Sequence, residues 1–212
     1  MDKSAIRKIV EAEVVSRLME QTGRRIVPAA VSNRHIHLSR SHVERLFGAG
    51  YQLTPIKPLS QPGQFACEET VTIQGPKGAI EKVRVLGPER PDTQIEISAT
   101  DSFKLGVPIA VHMSGEVAGT PGCRISGPKG TVELAQGLMV SKRHLHMSAA
   151  QADQYHLKNG DTVKLRFGGS RPMVFEDVLV RAGDGHELEV HLDMDEANAA
   201  LVKNGDYMEI IG

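Results

Sequence analysis

Residues 31–39 read VSNRHIHLS and residues 140–148 read VSKRHLHMS, so one short stretch occurs twice in the chain. Val, Ser, Arg, both His and the final Ser coincide, and the remaining positions exchange residues of similar polarity. A repeat of this kind indicates that one structural unit is built twice. The tetrapeptide Gly-Pro-Lys-Gly also occurs twice, at 75–78 and 127–130, each time as a turn signal before an apolar run.

A second repeat lies within the C-terminal half. Residues 146–165 read HMSAAQADQYHLKNGDTVKL and residues 191–210 read HLDMDEANAALVKNGDYMEI, with Lys-Asn-Gly-Asp at the same distance in both. Each predicts a strand with a His, a Ser or Asp cap, short helical turns, a Gly-Asp turn and another strand. In the N-terminal half, Glu96 stands where His191 would be, which exchanges one metal-ligand type for another.

The segments between these units are short, β-branched and bounded by Gly or Asp, which is typical of strands in small barrels. They are ETVTIQG at 69–75, AIEKVRVLG at 79–87, DTVKLRFGG at 161–169 and EDVLVRAG at 176–183. We expect a mainly β fold with short helices, made of two related β-barrels that arose by internal duplication. The predicted units are 23–139 and 140–212, with a strand at 26–33 able to pair with the second barrel.

Residues 1–22 predict an amphipathic helix before the first barrel. Its apolar side chains fall at helical spacing and its charged ones occupy the other face. The apolar set is Ile6, Ile9, Val10, Val14 and Leu18. Either this helix packs on its own domain, or it docks on a partner surface, because a Gly-Arg-Arg segment separates it from the first barrel.

Composition excludes some classes of function. The chain has 25 Lys and Arg against 26 Asp and Glu, which argues against a protein built around nucleic-acid phosphates or an anionic membrane surface. No apolar run reaches the roughly 18 residues of a membrane span, and no signal sequence is apparent, so we expect a cytosolic protein. Cys67 and Cys123 are expected as small buried hydrophobes.

The His-x-His pairs predict metal binding. Residues i and i+2 of a strand point to the same face, so His35 and His37 project together, as do His144 and His146. Adding Glu96 to the first pair makes a His₂Glu set, and adding His191 to the second makes a His₃ set, each with a position left open. Zn²⁺ is favoured over Fe²⁺, since no redox motif accompanies them. The other histidines are interpreted as solvated or structural: His42, His112, His156 and His186.

The chain resembles the phosphate propanoyltransferase family, the phosphotransacylases of bacterial propanediol utilisation. The strings that carry the resemblance are both His-x-His stretches, QPGQFACEETVT at 61–72, GPKG at 75–78, VRVLGPER at 83–90, QIEIS at 94–98, GTPG at 119–122 and DEANAA at 195–200. They occur in order along nearly the whole chain.

This resemblance implies a dinuclear zinc enzyme that interconverts acyl-CoA plus phosphate with acyl phosphate plus CoA. It implies one zinc on His35, His37 and Glu96, a second on His144, His146 and His191, and phosphate on Arg90. The implied coenzyme A contacts are Ser32, Lys57, Arg84, Leu86, His191 and Asn198. Some members work inside bacterial microcompartments, with an N-terminal amphipathic helix that docks on shell proteins, and residues 1–22 resemble such a helix.

Two other functions fit the same residues. One is a zinc hydrolase of acyl phosphates or thioesters, in which hydroxide replaces the thiolate. The other is a noncatalytic metal-binding barrel that scaffolds an assembly, and a homo-oligomer is compatible with all three. Propanoyl is the expected acyl group, with acetyl and butanoyl left open because one methylene discriminates by only about 1–3 kcal/mol.

Overall fold

The computed structural model describes residues 3–211, apart from the side chains of residues 3–5, 7–9, 11 and 12. The helices of this part are α1 (Lys3–Thr22), α2 (Arg40–Phe47), α3 (Ala99–Leu105), α4 (Ala149–Tyr155) and α5 (Met194–Ala200). The strands are β1 (Arg25–Ser32), β2 (His35–His37), β3 (Pro55–Pro58), β4 (Phe65–Gln74), β5 (Ala79–Gly87), β6 (Gln94–Ile97), β7 (Val111–His112), β8 (Cys123–Ser126), β9 (Thr131–Leu134), β10 (Leu138–Ser141), β11 (His144–Met147), β12 (Thr162–Phe167), β13 (Met173–Ala182), β14 (Glu189–Asp193) and β15 (Tyr207–Ile210).

Six strands close into a barrel in the order β1, β14, β11, β13, β12, β15. Alternation along β12 shows how the barrel is filled, because Val163, Leu165 and Phe167 are buried in its core while the residues between them are exposed. Leu145 and Met147 of β11 belong to the same core.

The other strands form a curled sheet in the order β7, β10, β6, β2, β5, β4, β8, β9, with β3 paired to β4. Its core is separate and includes Ile36 of β2, together with Cys67 and Cys123, which are buried free thiols as expected. The mainly β fold with two barrel-like units is therefore confirmed, one unit being closed and the other open.

The two units exchange strands. β1 pairs with β14 and β15 in the closed barrel, where Val31 lies opposite Leu192. β10 pairs with β6 and β7 in the open sheet, where Val140 lies opposite Ile97. The first strand thus crosses to the C-terminal unit, and the predicted boundary at 139/140 falls inside β10. This exchange brings the starts of β2 and β11 close to each other between the units.

The two Gly-Pro-Lys-Gly turns occupy equivalent places against the ends of helices. A Cβ on Gly75 would lie 2.4 Å from the carbonyl oxygen of Leu105 at the end of α3. A Cβ on Gly127 would lie 2.6 Å from the carbonyl oxygen of Leu46 near the end of α2. In each turn the amide two residues further on donates to that same carbonyl, so the close approach requires glycine.

The predicted N-terminal helix is confirmed as α1, and Gly23 ends it with a φ of 66°. Val15 is buried and Met19 packs against the core of the closed barrel. The expected docking residues are exposed, by 45%, 54%, 50% and 40% for Ile6, Val10, Val14 and Leu18, and Leu18 also lines a pocket beside β12 and β15 of the barrel. The side chain of Ile9 lies outside the described part. No described helix has the length and apolar character needed to cross a membrane.

Candidate active site

The histidine pairs lie between the two units because of strand alternation. Ile36 and Leu145 point into the open-sheet core and the barrel core, so the histidines on either side of them point the other way. All four histidines of the two pairs are nevertheless buried. They line a cleft of about 830 Å³ between the barrel and the sheet.

The strand registers show that the predicted His₂Glu set and the predicted His₃ set occupy equivalent positions in the two units. On β2 and β6, His35 lies opposite Glu96. On β11 and β14, His144 lies opposite His191. Glu96 therefore occupies in the first unit the place that His191 occupies in the second.

His144, His146 and His191 form the compact set. Their candidate ligand atoms all lie within 4.8 Å of one another, and among the described residues they are the one group of three or more His, Cys, Asp or Glu close enough to hold a metal ion. The Nδ1 atom of His144 lies 2.8 Å from the carbonyl oxygen of Lys142, so Nδ1 carries the proton and Nε2 keeps a free lone pair. That tautomer and backbone contact are typical of a metal-ligating histidine.

The contacts of the His146 ring indicate whether a cation fits the set of three histidines. Its Nε2 lies 3.0 Å from Nε2 of His144, and its buried Nδ1 has no hydrogen-bond partner. Either Nε2–H donates to His144 and Nδ1 is an unpaired acceptor, or Nδ1–H is an unpaired donor and two lone pairs face each other. A cation bound between the two Nε2 atoms would take up the facing lone pairs of the second arrangement, with Nδ1 of His146 carrying the proton. A zinc ion, with its preference for imidazole nitrogen, suits this donor set.

The first set is similar in kind and less compact. Nε2 of His35 lies 3.7 Å from Oε2 of Glu96, within the span of about 4 Å that two ligands of one zinc can have. Nδ1 of His35 lies 2.8 Å from the carbonyl oxygen of Asn33, which again leaves Nε2 free. Within residues 3–211 the buried Nδ1 of His37 also lacks a well-formed hydrogen bond, although a backbone contact with Leu86 acts to raise the pKa of the ring.

The protonation states suit metal ligands. Burial, together with nearby positive charge, lowers the pKa of His37 to about 3 and that of His144 to about 4. Burial also lowers the pKa of His146. For Glu96, burial would raise the pKa, but the charges of His35 and His37 outweigh it and hold the value at about 2. At neutral pH these groups are neutral imidazoles and a carboxylate, as metal binding requires.

The Arg of each Arg-His-x-His stretch has a structural partner. Arg34 binds Asp101 at 2.8 Å, and Arg143 binds Glu196 at 2.9 Å. Both acids are the third residue of a capping box, in α3 and α5 respectively. The retained arginines thus tie the histidine strands to the helices that come directly after Glu96 and His191.

Two arginines face the cleft from opposite units. Arg90 is half-buried, its Nη1 donates to Oγ of Ser114 at 3.2 Å, and burial lowers its pKa. Arg181 is also half-buried, and its positive charge lowers the pKa values of Arg90 and His146. Within residues 3–211 the side chain of Arg181 makes no hydrogen bond or ion pair, so its charge is available to an anion in the cleft that it lines.

Most of the residues predicted from the sequence line this one cleft. They are Ser32, Lys57, Arg84, Leu86 and Arg90, together with His35, His37, Glu96, His144, His146 and His191. Arg84 donates to the carbonyl oxygens of Cys67 and Glu68, at 2.9 and 2.8 Å. Asn198 is exposed on α5 and does not line the cleft, whereas Asn204 does.

Sequence reasoning missed Arg181, Ser114 and a role for His186 in the cleft. His186 lines it with its ring 4.4 Å from that of His146, although its spacing predicts a solvated or structural residue. A signal for Arg181 existed, because residues 83–98 align without gaps on 178–193 and place Arg181 at the position of Leu86. The strand registers agree with that alignment.

A profile of the phosphate propanoyltransferase family matches residues 28–203. This chain belongs to the phosphate propanoyltransferase family. It is 51% identical over 200 residues to the phosphate propanoyltransferase of Thermotoga maritima, and the aligned region covers 94% of each chain. It is 51% identical over 207 residues to that of Priestia megaterium (97% of this chain, 95% of the relative) and 44% over 209 residues to that of Clostridioides difficile (99% and 98%). Membership in the phosphate propanoyltransferase family confirms the predicted family and the prediction of an acyltransferase.

Proposed function

We propose that the chain transfers a short acyl group, propanoyl first, between coenzyme A and inorganic phosphate. In this reaction a phosphate oxygen attacks the thioester carbonyl, the C–S bond breaks and the CoA sulfur leaves. The observation that carries the proposal is the convergence of six candidate metal-ligand side chains and Arg90 in one cleft. The names of the relatives support propanoyl as the acyl group.

We assign a zinc ion to each of the two sets. His144, His146 and His191 would hold one, and the compact geometry supports this set directly. His35, His37 and Glu96 would hold the other, an assignment that rests on the equivalent strand registers. Zinc bound there would lower the pKa of a coordinated thiol and polarise an acyl or phosphoryl oxygen.

The phosphate group is assigned to the two arginines. A guanidinium can bind phosphate with two parallel hydrogen bonds, and Arg90 is held in the cleft by Ser114. Arg181 approaches from the other unit and has no competing anionic partner among the described residues. Together they would hold the attacking phosphate beside the thioester and compensate its charge.

Coenzyme A is assigned to the wall of the cleft that the open sheet provides. Lys57 and Arg84 supply positive charge for the phosphates of the nucleotide, and Leu86 offers an apolar surface to the pantetheine arm. Ser32 and His191 line the same cleft. For Asn198 to contact coenzyme A as proposed, the nucleotide end of coenzyme A must leave the cleft and extend over α5.

The test is thiol release from acetyl-, propanoyl- and butanoyl-CoA with phosphate, before and after removal of metal by a chelator. Phosphate-dependent thiol release that ends with chelation supports the proposal. Thiol release that continues at the same rate without phosphate indicates the hydrolase instead. No turnover of any acyl-CoA by the zinc-loaded protein indicates the noncatalytic scaffold.

The exposed apolar side of α1 supports a separate proposal about location. Ile6, Val10, Val14 and Leu18 recur every four residues on one side of the helix, while Val15 and Met19 contact the barrel. We assign this side to docking on a shell protein of a bacterial microcompartment, as the resemblance implies. The alternative is that a second copy of the chain packs against this apolar side of α1.

A further inference from the structure

Each third ligand of the two sets has a hydrogen-bonded neighbour two residues earlier on its own strand. Nε2 of Gln94 donates to Oε1 of Glu96 at 2.6 Å. Nε2 of His191 lies 2.8 Å from Oε2 of Glu189 and donates to it. Side chains at i and i+2 share a face of the strand, so these contacts follow from the sequence spacing.

The two neighbours are equivalent positions with different chemistry. Gln94 lies opposite His37, and Glu189 lies opposite His146, in the same relative register. Where the ligand is a carboxylate, its neighbour is a donor amide. Where the ligand is an imidazole with an N–H to donate, its neighbour is an acceptor carboxylate. The change of ligand from Glu96 to His191 is therefore matched by a complementary change beside it.

Gln94 is held so that only its amino group can face Glu96. It is buried, with 1% exposure, and its Oε1 accepts from the backbone N–H of Gly115 at 2.6 Å. Its Nε2 also donates to Oγ of Ser114 at 2.9 Å. Because the carbonyl end of the amide is occupied, the amide orientation is determined by its surroundings.

Glu189 connects His191 to the segment between β3 and β4. Oγ of Ser60 donates to Oε2 of Glu189, the same oxygen that His191 contacts. Gln61 is joined to the backbone of Glu187 by two hydrogen bonds, of 3.1 and 3.2 Å. This segment comes from the open sheet, so the contact joins the two units at the edge of the cleft.

We propose that Gln94 and Glu189 are positioning residues that orient Glu96 and His191 as metal ligands, the first by donating to a carboxylate and the second by accepting from an imidazole. The inference rests on the proposed metal sites. By accepting the Nε2 proton, Glu189 fixes the tautomer of His191 and leaves the Nδ1 lone pair for the metal. Carboxylate partners of this kind raise the basicity of the imidazole ligand.

The experiment measures zinc content and zinc affinity of the purified chain by competition with a chromophoric chelator. Glu189→Gln keeps the shape and an acceptor but removes the charge, and we expect affinity at one site to fall about 10- to 100-fold. Gln94→Glu places a second carboxylate beside Glu96, and we expect the first site to lose its zinc while the second keeps it. Glu187→Gln and Gln74→Glu, both exposed positions, are matched controls with unchanged affinity.

A double variant separates positioning from a general structural role. Gln94→Glu combined with Glu96→His transplants the second unit's pair into the first unit, and we expect it to bind zinc more tightly there than either single variant. Wild-type zinc affinity in both Glu189→Gln and Gln94→Glu, or a double variant no better than the singles, would overturn the inference while leaving the metal sites intact. A wild-type chain that binds no zinc would overturn both.

Discussion

His35 lies directly opposite Glu96 across the β2–β6 pairing, with 3.7 Å between Nε2 and Oε2. The same register on β11 and β14 places His144 opposite His191. Two equivalent sets of candidate ligands thus meet between a closed barrel and an open sheet, so under the proposed assignment a change in either set is expected to act on one zinc at a time.

Replacement of His144 by Ala should remove one zinc and reduce turnover by more than about 100-fold, since under the proposed assignment it deletes a metal ligand itself and not a residue that only contacts a ligand. The chain should remain folded, because His144 points away from the barrel core. Metal analysis and circular dichroism check both points. His156→Asn is the control, since His156 is exposed and Asn tolerates its positive φ of 55°. Two full equivalents of zinc in the His144 variant would contradict the assignment.

Replacement of Arg90 by Ala should raise the KM for phosphate about 10- to 100-fold, the equivalent of losing charge-assisted hydrogen bonds of about 1.5–3 kcal/mol. The KM for propanoyl-CoA should change much less. Steady-state kinetics with each substrate varied in turn measures the difference, with Arg124→Ala as control, because the Arg124 side chain is exposed on β8 and does not line the cleft. Equal losses for both substrates would place Arg90 away from phosphate.

Replacement of Arg181 by Leu, the residue at the equivalent position 86, should weaken phosphate binding about 10-fold while zinc content stays unchanged. The reason is that Arg181 has no protein anion to hold within the described residues and faces the cleft. Calorimetric titration of the zinc-loaded protein with phosphate measures the effect. Unchanged phosphate affinity would mean that Arg181 serves another group in the cleft.

The metal-free chain should lose stability as the pH falls below about 6.5. His37 and His144 have folded pKa values of about 3 and 4 against 6.5 in the unfolded chain, so the unfolded state binds more protons in that window. Glu96, at about 2 against 4.5, acts in the same direction below pH 4.5. Urea unfolding with chelator at pH 7 and pH 4.5 tests this. Replacing His37 and His144 by Ala should make the free energy of unfolding depend less on pH. An equally steep pH dependence in this variant would show that these two histidines are not its cause.

Replacement of Val10 and Val14 by Gln should abolish capture by shell proteins without changing turnover or melting temperature. Both side chains are at least half exposed, so their loss removes no core contact. Co-purification with shell proteins and thermal unfolding measure the two effects, with Glu13→Gln and Glu20→Gln as controls. A change from oligomer to monomer on size exclusion would instead identify a second copy as the occupant.

Local spacing was sufficient for much of the site. The i and i+2 rule places His35 with His37 and His144 with His146, and the repeat places Glu96 where His191 stands, because a duplicated segment keeps its strand registers. The caps at Ser148 and Asp193 were also predictable, since a capping box is a contact between residues three positions apart.

The mainly β fold, the duplication and the identity of the paired histidines could therefore be predicted from the sequence, because all of them depend on neighbours along the chain. The pairing of β1 with the C-terminal barrel was open from the sequence and was fixed by the fold, and the fold alone showed that β10 crosses into the open sheet, that Arg181 and His186 face the cleft, and that Asn198 lies outside it. These outcomes depend on pairings between distant segments, such as Val31 with Leu192. Spacing along the chain carries no information about such pairings, because hydrophobic burial in either unit would satisfy the same local pattern.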